Sequence, residues 1–263
     1  MPLLQELLPN EILSRLPAFF WTFARVGALL VAAPLFGART VPVRARVMLA
    51  LLISFAIVPQ VAVPTGVETM SAAGALLFAR EIVIGFALGF LVQMLFGAVA
   101  MAGEIIAMSM GLSFASVVDP DRGASVPVIG QYFVVISTLL FLAQNGHLAL
   151  LALLVESFSL LPPGVDGLGI AGFWDLAAWG SRTFEAAIMV ALPAATALLV
   201  AGVSMGLIAR SAPQLNIFSV GFPVTLMLGI VALLFGLPLL APQFEQHMFA
   251  ALETGRSVLV AFR

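Results

Sequence analysis

The chain has 263 residues, of which 62% are hydrophobic and 9% charged, with a net charge of −2 and a mean hydropathy of +1.16. A soluble protein carries about 25% charged residues, so this composition excludes an ordinary globular enzyme and points to an integral membrane protein. Cysteine is absent, which excludes disulfides, thiolate catalysis and cysteine-based zinc sites. The acidic balance offers no basic surface for nucleic acid.

Residues 1–16 place apolar side chains at helical spacing around Glu6, Glu11 and Arg15. That pattern predicts an amphipathic interfacial helix, and the acidic flank argues against a signal peptide. Pro17–Phe36 is the first long apolar run and contains Arg25. Arginine at membrane depth is costly unless it faces protein or water. Gly37–Arg46 gathers Arg39, Arg44 and Arg46 without an acid, and the positive-inside rule places it on the cytoplasmic side.

Val47–Pro64 is a second span, broken by Pro59 and Pro64. Gly74–Gly103 is a third, interrupted only by Arg80-Glu81. Gly85 and Gly89 lie four apart on one face, and Gly202 and Gly206 repeat that spacing. Small residues so placed let helix backbones approach closely in a bilayer.

The stretch Glu104–Gln131 interrupts this apolar chain with irregular, partly polar sequence: Met108, Met110 and Phe114, then Asp119-Pro120-Asp121, Gly123, Pro127 and Gly130. Non-helical backbone at membrane depth is tolerated only against protein or a water-filled cavity, so the segment is expected to face a protein-lined pore. Met101, Met108 and Met110 have two readings. Methionine fills irregular gaps in a core, and the same flexible thioethers could seal a channel and rearrange for a wide substrate.

Val126–Leu161 is apolar for about 36 residues. As one straight helix it would extend about 54 Å, well beyond a hydrocarbon core of about 30 Å. Gln144-Asn145-Gly146-His147 offers a break, giving one bent element or a hairpin. Pro162–Trp179 is expected to be a Gly/Pro-rich loop with interfacial tryptophans. Its Gly167, Gly169 and Gly172 spell GxGxxG, but Pro-Pro-Gly stands where a strand is required, so the dinucleotide reading fails. Glu185–Ile208 and Ser219–Leu240 form a predicted hairpin joined by Ala209–Phe218, and Pro242–Arg263 is expected to be an amphipathic tail. The chain thus presents six apolar segments and an all-α fold.

No catalytic constellation is present: there is no HExxH and no G-x-S-x-G elbow. His147 and His247 suggest no metal cluster, and no cofactor is expected. The intramembrane charges Arg25, Arg80, Glu81, Glu104, Glu156 and Glu185 are scattered. Pairing with one another or with partner subunits fits that scatter better than a proton relay, which would repeat acids down one helix face. Together these features predict a protein that is not an enzyme.

Several segments resemble the flagellar biosynthetic FliR family and its injectisome counterparts. They are Ala33-Pro34-Leu35-Phe36-Gly37 with Val41-Pro42-Val43-Arg44; Arg80-Glu81-Ile82-Val83-Ile84-Gly85 with Gly89; Gly103-Glu104 with Gly111-Leu112-Ser113-Phe114-Ala115 and Asp119-Pro120; and Ala212-Pro213-Gln214-Leu215-Asn216 with Gly221-Phe222-Pro223. The matches cover nearly the whole chain in order.

The resemblance implies a structural subunit of the type III protein export gate. Such a subunit joins FliP and FliQ homologues in a channel for unfolded flagellar proteins, with FlhB and FlhA alongside, in the bacterial inner membrane at the flagellar basal body. It implies a FliP-like helical part over 1–183, including a plug loop at about 104–131, and a FliQ-like hairpin with its tail over 184–263. By motif, Met108, Met110, Gly111, Leu112 and Phe114 would form the plug. Arg210, Pro213, Gln214 and Asn216 would form a cytoplasmic turn that contacts a partner, with FlhB the favoured one. An injectisome subunit, or a secondary transporter for a small solute built on the intramembrane acids and broken helices, are the alternative readings.

Overall fold

The computed structural model describes residues 10–38, 40–62, 70–112, 128–164, 167–212 and 217–263. Every regular element among them is helical. The helices are α1 (Asn10–Ala32), α2 (Val43–Ile57, continued by a 3-10 turn over Val58–Gln60), α3 (Ala72–Ser109), α4 (Val128–Ala143), α5 (Gly146–Leu160), α6 (Ile170–Ser211) and α7 (Ile217–Ala261). Four spans are long and apolar enough to cross a membrane: Val43–Gln60, Ala72–Ser109, Ile170–Ser211 and Val220–Ala261. The α4–α5 pair makes a fifth if it is counted as one broken span, and Pro17–Ala32 is a shorter apolar helix. This is an all-α membrane protein.

The predicted break at Gln144–His147 is present. α4 and α5 meet at an angle of 66°, and Asn145 turns the chain in the left-handed region at φ 56°. Asparagine is among the few residues with a side chain that adopt that conformation readily.

One expectation needs correction. Pro162–Trp179 is not all loop: helix begins at Ile170, so Trp174 and Trp179 lie on α6. The tail after Pro242 continues α7, which runs unbroken for 45 residues through Pro223, Pro238 and Pro242. Proline removes one ladder hydrogen bond. In apolar helices such a loss is tolerated where neighbouring groups or a local adjustment satisfy the freed carbonyl, so these prolines are poor stop signals here.

The chain divides into two compact units. The first comprises residues 1–94, 145–179 and 250–263; the second comprises 95–144 and 180–249. The core of the first includes Trp21, Leu29, Leu30, Leu77, Ile84, Leu88 and Leu91, all almost fully buried. α1 and α3 approach there through glycine. A Cβ on Gly85 would strike the Arg25 backbone carbonyl, and one on Gly89 would lie 2.8 Å from the Leu29 carbonyl oxygen. Gly172 faces the Phe262 ring, and the Gly169 amide donates to the Phe262 carbonyl at 3.0 Å. The Gly-rich motif therefore docks the end of α7.

In the second unit, Phe96 makes edge contacts with both Phe141 and Phe244, at centroid separations of 5.6 and 5.9 Å. Gly103 crosses Gly130, with only 2.8 Å between a built Gly103 Cβ and Gly130 Cα. Gly202 and Gly206 face nothing within 4 Å. The repeated spacing is therefore a packing face at 85/89, and at 202/206 it meets no part of the described chain.

Candidate functional site: a buried charge cluster and the end of helix α3

Arg25 is fully buried on α1. Its Nε donates to Glu81 Oε2 at 2.6 Å, and neither side chain is exposed. Nη1 donates to the Ser157 carbonyl at 2.8 Å and to Ser157 Oγ at 3.0 Å, and Nη2 donates to the Leu161 carbonyl at 2.8 Å. The guanidinium also stacks 4.2 Å from the Phe158 ring centroid. The last carbonyls of a helix lack intrahelical partners and carry partial negative charge, so Arg25 caps α5 while neutralising Glu81. Arg80 Nη1 adds a 3.3 Å contact to Glu81 Oε1 and donates to the Pro162 carbonyl at 3.1 Å.

Glycine at position 85 makes this arrangement possible, because it lets α3 lie directly on the Arg25 backbone. Arg25, Arg80 and Glu81 thus form one cluster. The Arg25 and Glu81 side chains of this set hold α1, α3 and α5 together, while Arg80 Nε is buried without a hydrogen-bond partner. Glu156 instead meets Arg256 at 3.0 Å on a partly exposed surface. Ser157, Phe158 and the Leu161 carbonyl were not foreseen from sequence, since no spacing links residue 25 to residues 157–161.

Glu104 belongs to the second unit, and its Oε1 lies over Gly130, 2.5 Å from where a Cβ would stand. Five residues on, α3 ends in a defined cap. The Leu112 amide donates to the Ala107 carbonyl at 3.1 Å and the Gly111 amide to the Met108 carbonyl at 3.0 Å. Gly111 has φ 83°. These paired bonds around a left-handed glycine are a Schellman motif, so Gly111 is a helix stop as well as a candidate plug residue.

The methionines divide. Met101 packs against the Ala98, Ala186 and Ala187 cluster, and Met110 is 2% exposed against Gly229 of α7. Met108 is 58% exposed. The Thr225 hydroxyl shares its proton between the Phe222 carbonyl at 3.0 Å and the Met110 carbonyl at 3.3 Å. Phe114 and the remainder of the proposed plug to residue 127 lie outside the described residues. So do Pro213, Gln214 and Asn216, whereas Arg210 is exposed in the last turn of α6.

The second unit also holds a largely apolar cavity of about 260 Å³, bounded by Ile106, Phe133, Val190, Pro193, Phe235 and Leu240 among others. Among the described residues, no group of three or more His, Asp or Glu side chains is placed to hold a metal ion.

The model of bacterial export proteins, family 1, matches residues 16–251. The chain is 43% identical over 241 residues to the flagellar biosynthetic protein FliR of Escherichia coli K12, covering 92% of each chain. It is 39% identical over 232 residues to FliR of Pectobacterium carotovorum, covering 88% of each. It is 31% identical over 256 residues to FliR of Bacillus subtilis, covering 95% of this chain and 97% of that one. Matches of this extent run through both compact units, and the chain belongs to the FliR family of bacterial export proteins.

Proposed function

We propose that this membrane protein is a structural component of the flagellar export apparatus: a non-enzymatic subunit of the type III export gate in the bacterial inner membrane. In this reading it joins FliP and FliQ homologues, with FlhB and FlhA alongside, around a channel for unfolded flagellar proteins. Met108, Met110, Gly111, Leu112 and Phe114 belong to the segment that closes the channel at rest. The 210–216 turn, with Arg210, Pro213, Gln214 and Asn216, docks a cytoplasmic partner such as FlhB.

One observation carries the multi-subunit part of this reading. α6 and α7 contain 42 and 45 residues, about 63 and 68 Å of helix against a hydrocarbon core of about 30 Å. Within an apolar stretch of 18 residues in each, only 28% and 11% of the residues are buried within the chain. Leu199, Met227 and Phe235 are each more than 60% exposed. A bilayer covers about half of such a length, and large apolar surface outside it calls for protein partners.

The experiment is to delete 110–114 from the assembled complex and record ion conductance in membranes. The deletion is expected to make the complex leaky, and unchanged conductance refutes the plug. Recovery of the chain as a stable monomer that moves solute in liposomes would refute the gate as a whole.

A further inference from the structure

The described end of the Met/Phe stretch is held by α7, and the form of that hold suggests a releasable attachment. Gly229 has no side chain, and Met110 takes the place one would occupy: Met110 Sδ and Cε lie 2.6 Å from the built Cβ position, and its Cγ is closer still. One turn earlier on α7, the Thr225 hydroxyl lies 3.3 Å from the Met110 carbonyl and 3.0 Å from the Phe222 carbonyl of its own helix, and the two acceptors share its single proton. The Met110 carbonyl belongs to the end of α3, where helix carbonyls lack intrahelical partners. Gly111 then turns the chain away at φ 83°. Met108, two residues earlier, is largely exposed and shares none of this seat.

We propose that Thr225 and Gly229 form a socket for Met110, and that an occupied socket holds the closed state of the export gate. The inference rests on the plug reading given above and adds its internal partner. The attachment consists of a 3.3 Å hydrogen bond, whose proton is shared with the Phe222 carbonyl, and a thioether seated on a glycine. Methionine is flexible and adapts to alternative surroundings. A contact of this kind can be left and remade, unlike the buried ion pair around Arg25.

The chain has no native cysteine, so Met110→Cys with Gly229→Cys in the assembled complex gives a clean test. The observed seat places the two cysteine Cβ atoms within about 4 Å, the separation a disulfide requires. Oxidation of resting membranes should form the crosslink and stop flagellar protein export, and reduction should restore it. Absence of a crosslink in a complex that still co-purifies overturns the socket. A complete crosslink with undiminished export overturns its release.

Thr225→Val preserves the side-chain shape and removes only the donor. It should raise resting ion conductance above that of the unsubstituted complex, whereas Gly236→Leu, whose Cβ would meet nothing within 4 Å, should not. Equal conductance for all three overturns the proposal. If the 110–114 deletion leaks but no crosslink forms, only the socket fails. If the deletion does not leak, the plug reading itself fails.

Discussion

Arg25 and Glu81 meet at 2.6 Å with neither side chain exposed, and the two residues stand 56 positions apart on α1 and α3. Burying this pair is tolerable because both remaining nitrogens of Arg25 donate to oxygens at the end of α5. Desolvation of two charges offsets much of their attraction, so the pair fixes which helices meet more than it adds net stability.

Removing one partner should therefore be far worse than removing both. Glu81→Ala leaves a guanidinium without its counter-ion and should cost about 3–5 kcal/mol. Arg25→Met combined with Glu81→Met replaces the pair by apolar side chains and should fall much closer to the parent. Thermal melting of the detergent-solubilised complex measures this. A double variant at least as unstable as Glu81→Ala would show that the cost lies elsewhere.

Glycines of the same spacing should respond oppositely. Gly85→Ala drives a methyl into the Arg25 backbone, where relief requires separating two helices, at about 1–3 kcal/mol for overpacking. Gly202→Ala meets nothing in the chain and should leave the stability of the isolated protein unchanged or slightly raised, since alanine is the better helix former. Thermal melting of the isolated chain separates the two. In the assembled complex, any loss at Gly202 would mark a partner helix against α6.

Much of this architecture was legible in the sequence, for local reasons. Long apolar runs specify helices whatever they pack against, and Gln144–His147 combines polar side chains with a glycine, so the 66° break falls where expected. Pro242 does not end α7, because a proline stop signal is calibrated on helices whose freed carbonyls face water. Arg25 and Glu81 stood out in the sequence as charges in apolar runs, but their anchorage on Ser157 and Leu161 arises from tertiary packing that no periodicity encodes. The Met110 seat was hidden for a similar reason: Gly229 is one of 23 glycines, and only the crossing of α3 and α7 distinguishes it.

The cap of α3 supplies a sharper test of local geometry. Gly111 holds φ 83°, and an alanine there incurs about 1–2 kcal/mol in the left-handed region. Gly111→Ala should lower the melting temperature, whereas Gly111→Asn should lower it less, because asparagine accepts that conformation more readily. Equal losses for the two would indicate that contacts of the α-carbon, not backbone strain, require glycine at this position.

The end of α7 makes the last prediction. Phe262 is fully buried, its ring lies where a Gly172 side chain would stand, and Phe173 packs edge-on at a centroid separation of 4.9 Å. Phe262→Ala should cost about 3–5 kcal/mol through the cavity it opens. Gly172→Val in the native background should also destabilise, because the ring already occupies the space. Placed together, the two changes should partly cancel, since the new valine fills volume vacated by the ring, and residues in contact couple by about 0.5–3 kcal/mol. Additive losses in a double-mutant cycle would mean that Gly172 and Phe262 act independently, and that the Gly-rich segment does not serve as the dock for α7.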